Sequence, residues 1–320
     1  MKAITRSTYG SPDVLTLSEL DKPDPNDNQA LVRIRAASVN PLDWHVLRGT
    51  PRFIRMQTGL TGPKSPKLGV DMAGEVEAVG KDVTEFKPGD AVYGEVWGAF
   101  AEYVAVSETM LAPKPSNLTF EQTAAIPVAG YTALQALRDK GQVTPGQRVL
   151  INGASGGVGT FAVQIAKAMG AEVAGVCSTR NVELVSSLGA DRVFDYTRED
   201  FTLEKDPYDV IFDNIGNRTM AEYRRIMTPG GVFIMVGADG NKGGYLNAMF
   251  KVMVLSKFFS QSFTTMMAKA NKQDLLAINR MIEAGQVTPV IDRQYPLDQV
   301  PDAIRYLEEG HARGKVVVTV

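Results

Sequence analysis

Residues 147–159, QRVLINGASGGVG, constrain the fold more than any other stretch of the chain. Within it, the apolar run 149–151 suits a buried parallel strand, and a glycine-rich turn, 153–159, follows at once. Residues 160–169 then show helical spacing, and Gly170 is placed to end that helix. A strand, a glycine turn and a helix in this order predict a dinucleotide-binding unit, because pyrophosphate must approach bare backbone N–H groups at a helix N-terminus.

The glycine pattern departs at one position from the dinucleotide-binding fingerprint G-x-G-x-x-G. Ala154 stands where the first glycine is expected, whereas Gly156 and Gly159 keep the second and third places. Those two places let the backbone approach the pyrophosphate and let the helix pack against the strand. Because glycine turns also serve purely structural strand–helix connections, the residues that follow must decide between a binding role and a structural one.

A second apolar strand, 171–177, comes directly after the helix. An NAD site carries Asp or Glu at its end to bind the ribose 2′-hydroxyl. This chain has Ser178, Thr179, Arg180 and Asn181 there, and the segment contains no carboxylate. Two hydroxyls, an amide and a guanidinium suit a 2′-phosphate through charge-assisted hydrogen bonds. The segment therefore predicts NADP(H), although Arg180 is also compatible with a solvated residue that opens the next helix.

Composition excludes several classes of protein and site. The length of 320 residues suggests two domains. The formal net charge of −2 shows no excess of basic residues that would bind nucleic acid. The single cysteine, Cys177, excludes an internal disulfide and a cysteine-rich zinc site, and it favours a reducing compartment. No run approaches the roughly 20 apolar residues of a membrane span, and the first residues lack the apolar core of a signal peptide. We therefore expect a cytoplasmic protein with no nucleic-acid partner and no transmembrane segment.

The pattern of strands and helices changes along the chain. Residues 1–120 read as short strands separated by turns, typical of a compact β barrel or sandwich. Strands and helices then alternate to about residue 238, which implies a parallel sheet with helices on both faces. The last residues, 314–320, again have the pattern of a β-strand, so we expect this strand to rejoin the N-terminal domain. The strands of the alternating section are expected at 147–153, 171–177, 192–196, 208–215 and 231–237.

Six short motifs are spread along the whole chain. They are Val39-Asn-Pro-Leu-Asp43, Gly69-Val-Asp-Met-Ala-Gly74 with Val79-Gly80, Lys87-Pro-Gly-Asp90, Ala129-Gly-Tyr-Thr-Ala133, Gly153-Ala-Ser-Gly-Gly-Val-Gly159 and Gly314-Lys-Val316. Each is weak alone, but together they are specific. The chain resembles the medium-chain dehydrogenase/reductase superfamily, and within it the zinc-free quinone oxidoreductase-like branch.

This resemblance implies an α/β fold built from two domains. A GroES-like β domain is expected to form from both chain ends, residues 1–122 and 269–320. A Rossmann domain with a doubly wound parallel sheet, residues 123–268, is expected between them, with the active site in the cleft between the domains. Relatives often dimerise through the edge of this sheet, so we expect a homodimer that pairs through 231–236.

The chain departs from the zinc alcohol dehydrogenases of the same superfamily. Asn40 stands where the first zinc-binding cysteine would be, and Val70-Asp71 replaces the Gly-His-Glu motif. The four-cysteine structural zinc lobe is missing as well. These departures predict no metal site and favour the branch that reduces activated double bonds or quinones.

The motifs and the resemblance together assign cofactor contacts, which fall into three groups. Expected at the pyrophosphate are Ser155, Gly156, Gly157 and Val158; at the 2′-phosphate, Ser178, Thr179, Arg180, Asn181 and Tyr196; and at the nicotinamide end, Asn40, Asp43, Thr132, Gly237, Arg313 and Lys315.

Three residues are candidates for catalysis: Asn40, Asp43 and His45. His45 could donate a proton or hydrogen bond to the substrate oxygen or the nicotinamide ribose. An equally good interpretation is a structural histidine that is bonded to the backbone at the start of a helix. Asp43 suits a contact with the nicotinamide ribose, or simply the cap of a helix that starts near Trp44. Proton delivery from water and from one side chain both remain open.

The predicted function is NADPH-dependent, metal-independent transfer of hydride to a small lipophilic quinone or α,β-unsaturated carbonyl compound. Without a metal, the substrate must itself be electron-poor. A zinc-free alcohol dehydrogenase or carbonyl reductase, and a non-catalytic NADPH-binding regulatory protein, remain alternatives. Residues 245–267, rich in Phe and Met, are compatible with a cap over the cleft, a membrane-contacting segment, or a helix packed between domains or at a dimer interface.

Overall fold

A computed structural model describes residues 1–237 and 260–320, which divide into two compact units. Unit 1 is formed by both ends of the chain, and unit 2 by the middle. Unit 1 comprises Met1–Val128, Ala270–Glu283 and Pro289–Val320, and unit 2 comprises Ala129–Lys269 and Ala284–Thr288. The predicted fold class is confirmed: a β unit from both chain ends carries a parallel-sheet unit inserted in its sequence.

The strands of unit 1 pair mainly antiparallel. In chain order, the elements of this unit are β1 (Lys2–Thr5), β2 (Thr16–Glu19), β3 (Gln29–Val39), α1 (Pro41–Arg48), α2 (Arg55–Thr58), β4 (Asp71–Val79), β5 (Ala91–Glu95), β6 (Tyr103–Ser107), β7 (Leu111–Pro113) and α3 (Phe120–Ala124). The helix α4 (Pro127–Gln135) leads into unit 2. The long strand β3 pairs with both β4 and β6, and its apolar side chains lie in the core of the unit.

Unit 2 is an alternation of parallel strands and helices. Its elements are β8 (Arg148–Asn152), α5 (Gly157–Ala168), β9 (Glu172–Cys177), α6 (Val182–Ser187), β10 (Arg192–Asp195), β11 (Tyr208–Asp213), α7 (Met220–Arg225), β12 (Met227–Met235) and β13 (Ser262–Thr265). The described strands are ordered β10-β9-β8-β11-β12-β13, and every pair is parallel. The chain therefore winds one way from β8 to β10 and the other way from β11 onward. Ligands bind at this kind of switch point, outside the carboxyl ends of the strands.

The remaining elements return the chain to unit 1. They are α8 (Lys272–Glu283), β14 (Ile291–Pro296), α9 (Val300–Glu308) and β15 (Lys315–Thr319). The strand β15 lies between β14 and β3, which confirms that the last strand rejoins the N-terminal sheet. None of the helices within 1–237 and 260–320 is long and apolar enough to cross a membrane.

Three expectations need correction. The first 120 residues also contain helices, and α1 begins at Pro41 rather than near Trp44. The strand expected at 231–237 starts earlier, at Met227, and lies between β11 and β13, so it is not the sheet edge at which dimerisation was predicted. Of the segment 245–267, residues 245–259 lie outside the described residues, and Ser262–Thr265 forms a strand instead of a helix.

Candidate functional site

The glycine turn of unit 2 has the geometry of an anion-binding helix start. Gly156 is the N-cap of α5, which begins at Gly157 directly beyond the carboxyl end of β8. The first N–H groups of an α-helix have no partner inside the helix, and the dipole places partial positive charge there. The N–H groups of Gly157 and Val158 therefore face outward from the end of β8, where a pyrophosphate would need them.

The two fingerprint glycines are required for different reasons. A Cβ on Gly159 would lie 2.0 Å from the carbonyl oxygen of Gly153, so any side chain would break the turn against its own backbone. A Cβ on Gly156 would come no closer than 3.6 Å to the same oxygen, which is ordinary contact. Gly159 is therefore needed for packing, whereas Gly156 leaves space that the described residues do not fill.

The alanine at the first fingerprint position is accommodated by a glycine on the neighbouring strand. Ala154 is fully buried, and its N–H donates to the carbonyl of Val176 at 3.0 Å. A Cβ on Gly175 would lie 3.0 Å from the Cβ of Ala154. Gly175 on β9, which has no side chain, thus leaves the room that the methyl group of Ala154 needs. Alanine at the first fingerprint position therefore does not disturb the turn.

The loop after β9 holds the residues predicted for the 2′-phosphate. Ser178 is half-buried, and the Thr179 hydroxyl donates to Oδ2 of Asp195 at 2.6 Å. This bond lowers the pKa of the Asp195 carboxyl. Sequence reasoning noted the absence of a carboxylate within this loop, but the end of β10 brings one against it. Thr179 commits its proton to Asp195, so among the loop hydroxyls it is Ser178 that remains a candidate donor to an anion.

Arg180 and Tyr196 are both exposed, as is Thr179. Arg180 lies in the short 3-10 turn Thr179–Asn181, and Tyr196 directly follows β10 with its side chain 52% exposed. The N–H of Tyr196 donates to the carbonyl of Cys177 at 3.0 Å, so the two loops are joined. A guanidinium and an aromatic ring are therefore both accessible at the carboxyl ends of neighbouring strands.

Asn181 connects the two predicted phosphate-binding segments. Its side-chain amide donates to Oγ of Ser155, in the glycine turn, at 2.9 Å and to Oγ of Ser178 at 3.3 Å. The residue is only 5% exposed. The structure therefore brings Ser155 and Ser178 together through a side chain that is itself covered.

A buried polar network behind the glycine turn was missed by sequence reasoning. The side-chain amide of Asn152, at the end of β8, lies 2.9 Å from Oδ1 of Asp213 and 3.0 Å from the hydroxyl of Tyr223. Burial raises the pKa of the Asp213 carboxyl. Its Oδ1 also accepts the N–H groups of Ile215 and Gly216, which shapes the loop beside the turn. Polar residues that end two neighbouring parallel strands were the signal available in the sequence.

Two further residues of unit 2 were predicted at the nicotinamide end, and the N–H of one of them, Gly237, donates to the backbone carbonyl of Asp213 at 3.2 Å. Gly237 follows β12, and a Cβ there would lie 2.3 Å from the carbonyl oxygen of Asn214, so only glycine fits. Thr132 is half-buried on α4.

Unit 1 contains a second polar cluster, built around Asp71 at the start of β4. Oδ2 of this buried carboxylate accepts the Asn40 amide at 2.8 Å and the Ser38 hydroxyl at 3.0 Å, and it lies 3.3 Å from Nζ of Lys315. Oδ1 accepts the N–H of Val128 at 3.1 Å. Lys315 also donates to Oδ1 of Asn40 at 2.5 Å. Asn40 and Lys315, both predicted site residues, are thus brought together by Asp71, which was named from the sequence only as part of the replaced zinc motif.

Asp43 lies beside this cluster on α1. Its Oδ2 accepts the N–H of Asn40 at 2.7 Å, so it completes the cap of α1. Burial, opposed by that hydrogen bond, raises the pKa of the Asp43 carboxyl to about 8. The capping alternative considered for Asp43 is therefore the contact that the structure shows, with Asn40 as the N-cap residue.

Glu95 is a further acidic residue of unit 1 that the sequence did not reveal. Burial and the nearby charge of Asp71 raise the pKa of its carboxyl to about 7. Asp71 and Glu95 are separated by 24 positions in the sequence, and only the pairing of β4 with β5 brings them opposite each other.

His45 is held by backbone. Its Nδ1 lies 2.8 Å from the carbonyl oxygen of Thr50, and because that oxygen only accepts, Nδ1 carries the proton. Its ring lies against Trp44, with centroids 3.6 Å apart, and burial lowers the pKa of His45. Arg313 is exposed, and its N–H donates to Asp292 at 2.9 Å. Of the three catalytic candidates, Asn40 and Asp43 are thus in direct contact, whereas His45 is bonded elsewhere.

Comparisons with known proteins agree with this architecture. Residues 26–116 match the family described as alcohol dehydrogenase GroES-like domain, and residues 188–318 match the zinc-binding dehydrogenase family. The chain is 38% identical to a 2-methylene-furan-3-one reductase from Solanum lycopersicum over 99% of its length and 79% of the relative's. It is equally similar, with the same coverage, to an NADPH-dependent alkenal/one oxidoreductase, chloroplastic, from Arabidopsis thaliana.

A solved structure extends the likeness over the full chain. The quinone oxidoreductase from Coxiella burnetii superposes with a TM-score of 0.88 at 31% identity, covering 100% of this chain and 99% of that one. The chain belongs to the medium-chain dehydrogenase/reductase superfamily. It groups there with the quinone and alkenal oxidoreductases, as the motifs predicted.

The name of one matching family raises the question of whether this superfamily member can hold zinc. Within the described ranges, no three His, Cys, Asp or Glu side chains are grouped to hold a metal ion. At the positions where the resemblance expects zinc ligands, Asn40 and Asp71 are bonded to each other and to the ammonium of Lys315. A second cation would be repelled by that ammonium, so these residues do not fit a catalytic zinc.

Proposed function

We propose that this protein is an NADPH-dependent, metal-independent oxidoreductase that transfers hydride to a quinone or to an α,β-unsaturated carbonyl compound. The observation that carries the proposal is the pairing, in unit 2, of a helix-start glycine turn with a loop that offers Ser178 and Arg180. The names of the Arabidopsis alkenal/one oxidoreductase and the Coxiella quinone oxidoreductase support the substrate classes.

The geometry described above supports the following proposed cofactor contacts in unit 2. Ser155 and the N–H groups of Gly157 and Val158 bind the pyrophosphate, and Gly156 leaves room for its approach. Ser178 and Arg180 bind the 2′-phosphate through charge-assisted hydrogen bonds, and the exposed ring of Tyr196 covers the same end of the cofactor. Asn40, Thr132, Gly237, Arg313 and Lys315 are proposed for the nicotinamide end.

Bound NADPH supplies the hydride, so the protein has to orient the cofactor and stabilise the charge that develops on the substrate oxygen. The buried Asn40, Asp71 and Lys315 are bonded to one another and act as a fixed support for the start of α1. Nδ1 of His45 is committed to a backbone carbonyl, and its lowered pKa keeps the ring neutral at pH 7. We therefore assign final proton delivery to water, with Asp43 as a cap.

We propose that residues 1–122 with 269–320 form the substrate domain and that residues 123–268 form the cofactor domain, and the division of the chain into units 1 and 2 supports this proposal. We propose a homodimer that pairs through β13, because this strand is the end of the described sheet and offers backbone groups for pairing. The single cysteine supports a reducing, cytoplasmic location. Sedimentation velocity would test the dimer, and a monomer at micromolar concentration would refute it.

The test of function is the consumption of NADPH and NADH, measured separately with one simple quinone and one short enone in the presence of a chelator. We expect fast oxidation of NADPH that survives chelation, and the better substrate identifies the class. Loss of turnover with the chelator would contradict metal independence. Tight NADPH binding without any turnover would instead support the non-catalytic alternative.

A further inference from the structure

The side chain of Asn181 is placed to act on the cofactor through other residues. It was predicted to contact the cofactor, but it is only 5% exposed and donates to the two serines of the phosphate-binding segments. No hydrogen bond to its Oδ1, which is buried, is found among the described residues. The two serine contacts are therefore the polar interactions that define the position of this amide.

The direction of these hydrogen bonds matters for anion binding. A hydroxyl has one proton and two acceptor lone pairs, and a side-chain amide nitrogen has two protons. When the amide gives one proton to Oγ of Ser155 and the other to Oγ of Ser178, both hydroxyls act as acceptors towards Asn181. The proton of each hydroxyl then remains available for a hydrogen bond to another acceptor. A phosphate oxygen is such an acceptor, because it carries no proton of its own to donate.

We propose that Asn181 is a positioning residue that turns the hydroxyl protons of Ser155 and Ser178 towards the phosphates of the cofactor, and so couples the pyrophosphate turn to the 2′-phosphate loop. This inference rests on the proposed NADPH-binding function. It differs from a cofactor contact, because removing the amide acts only through the two hydroxyls.

The experiment measures the dissociation constants of NADPH and NADH by fluorescence titration for wild type, Asn181→Ala, Asn181→Asp and the double variant Ser155→Ala/Ser178→Ala. Asn181→Ala should weaken NADPH binding about tenfold, since two donors lose their orientation. Asn181→Asp should weaken it about 100-fold, since a carboxylate only accepts and would draw both hydroxyl protons to itself. In both Asn181 variants the KM for NADPH should rise in parallel with the dissociation constant, with a much smaller change in kcat.

The decisive measurement is the NADPH dissociation constant of the triple variant Ser155→Ala/Ser178→Ala/Asn181→Ala, compared with that of the double variant Ser155→Ala/Ser178→Ala. Positioning predicts no further loss of NADPH affinity there, because nothing remains to be oriented. An additional tenfold loss in the triple variant would overturn the inference and assign Asn181 a structural or direct role. Ser187→Ala, at the end of α6, is the matched control, because within 1–237 and 260–320 its hydroxyl bonds only to the carbonyl of Leu184.

Two further outcomes separate this inference from the proposed function. Wild-type affinity for NADPH in Asn181→Ala, with wild type binding tightly, would overturn the positioning role and leave the function standing. A wild-type protein that binds neither NADPH nor NADH would overturn both. Thermal unfolding of each variant checks that the loop remains folded, and an affinity loss that tracks a lowered melting temperature counts against positioning.

Discussion

Asp71 and Glu95 stand directly opposite each other on β4 and β5, so two carboxyl groups face the same side of the sheet. Burial of Glu95 disfavours its charged form, and the like charge of Asp71 adds to this effect, so the protonated form of Glu95 is favoured. Its pKa is raised to about 7, from an ordinary value of 4.5. The folded state therefore binds more protons than the unfolded state between about pH 4.5 and 7, and stability falls as the pH rises through that window.

Replacing Glu95 by Gln should remove this part of the pH dependence. We expect Glu95→Gln to be more stable than wild type at pH 8 and little changed at pH 4.5, where the Glu95 carboxyl of the folded wild type is protonated. Both tryptophans, Trp44 and Trp97, lie in unit 1, so urea unfolding followed by tryptophan fluorescence reports on the correct unit. A variant that loses stability at pH 8 would show that the charged form of Glu95 is stabilising after all.

Lys315 neutralises a buried carboxylate, and its removal should be costly. Lys315→Met would leave Asp71 charged and without a cation at 0% exposure, which destabilises a protein by roughly 3–5 kcal/mol. The double variant Lys315→Met/Asp71→Asn removes both charges and should recover a large part of the loss. Urea unfolding of the three proteins checks this, and equal losses in the single and double variants would refute the charge argument.

Arg180 should determine the preference for NADPH over NADH. Arg180→Ala removes a charge-assisted hydrogen bond to the 2′-phosphate and should weaken NADPH binding by about 10- to 100-fold. NADH lacks that phosphate, so its affinity should change little. Titration of both cofactors tests this directly. Arg198→Ala is the control, since Arg198 pairs with Asp195 on the protein. An equal loss for NADPH and NADH in Arg180→Ala would contradict the assignment of the loop.

His45 should be dispensable for chemistry. His45→Ala loses the bond to the Thr50 carbonyl, which contributes roughly 0.5–1.5 kcal/mol to stability, and it keeps the α1 cap made by Asp43. We expect kcat and its pH profile with NADPH to stay unchanged. If one limb of the pH profile disappears in this variant, His45 takes part in proton transfer and the assignment to water is wrong.

Gly156 and Gly159 should respond differently to the same substitution. Gly159→Ala places a methyl group 2.0 Å from a backbone oxygen, so it should destabilise unit 2 by roughly 1–3 kcal/mol or prevent its folding. Gly156→Ala meets no such obstacle and should fold normally, yet weaken NADPH binding at least about tenfold by filling the approach to the helix start. Thermal unfolding and NADPH titration of both variants distinguish the two roles, and normal NADPH binding by Gly156→Ala would refute the second.

Local patterns account for the parts of the fold that the sequence could predict. The βα unit at 147–170 follows from an apolar run, a glycine turn and helical spacing, all within a few residues of one another. The strand β13 was missed because four residues, SFTT, offer too short a pattern beside a long apolar segment. The site residues that were missed depend on pairing between distant segments, since Glu95 meets Asp71 and Asp195 meets Thr179 only after the strands have aligned.

The position of β15 in the sheet has a consequence for the order in which the protein forms during synthesis. β15, Lys315–Thr319, lies between β14 and β3 in the sheet of unit 1, although about 280 residues separate it from β3 in the chain. The strands of unit 2 leave the ribosome well before it, so the inserted unit can acquire its fold while the sheet of unit 1 still lacks two strands. Until β15 arrives, Asn40 and Asp71 have no Lys315, and the polar cluster of unit 1 is among the last parts of the molecule to be completed.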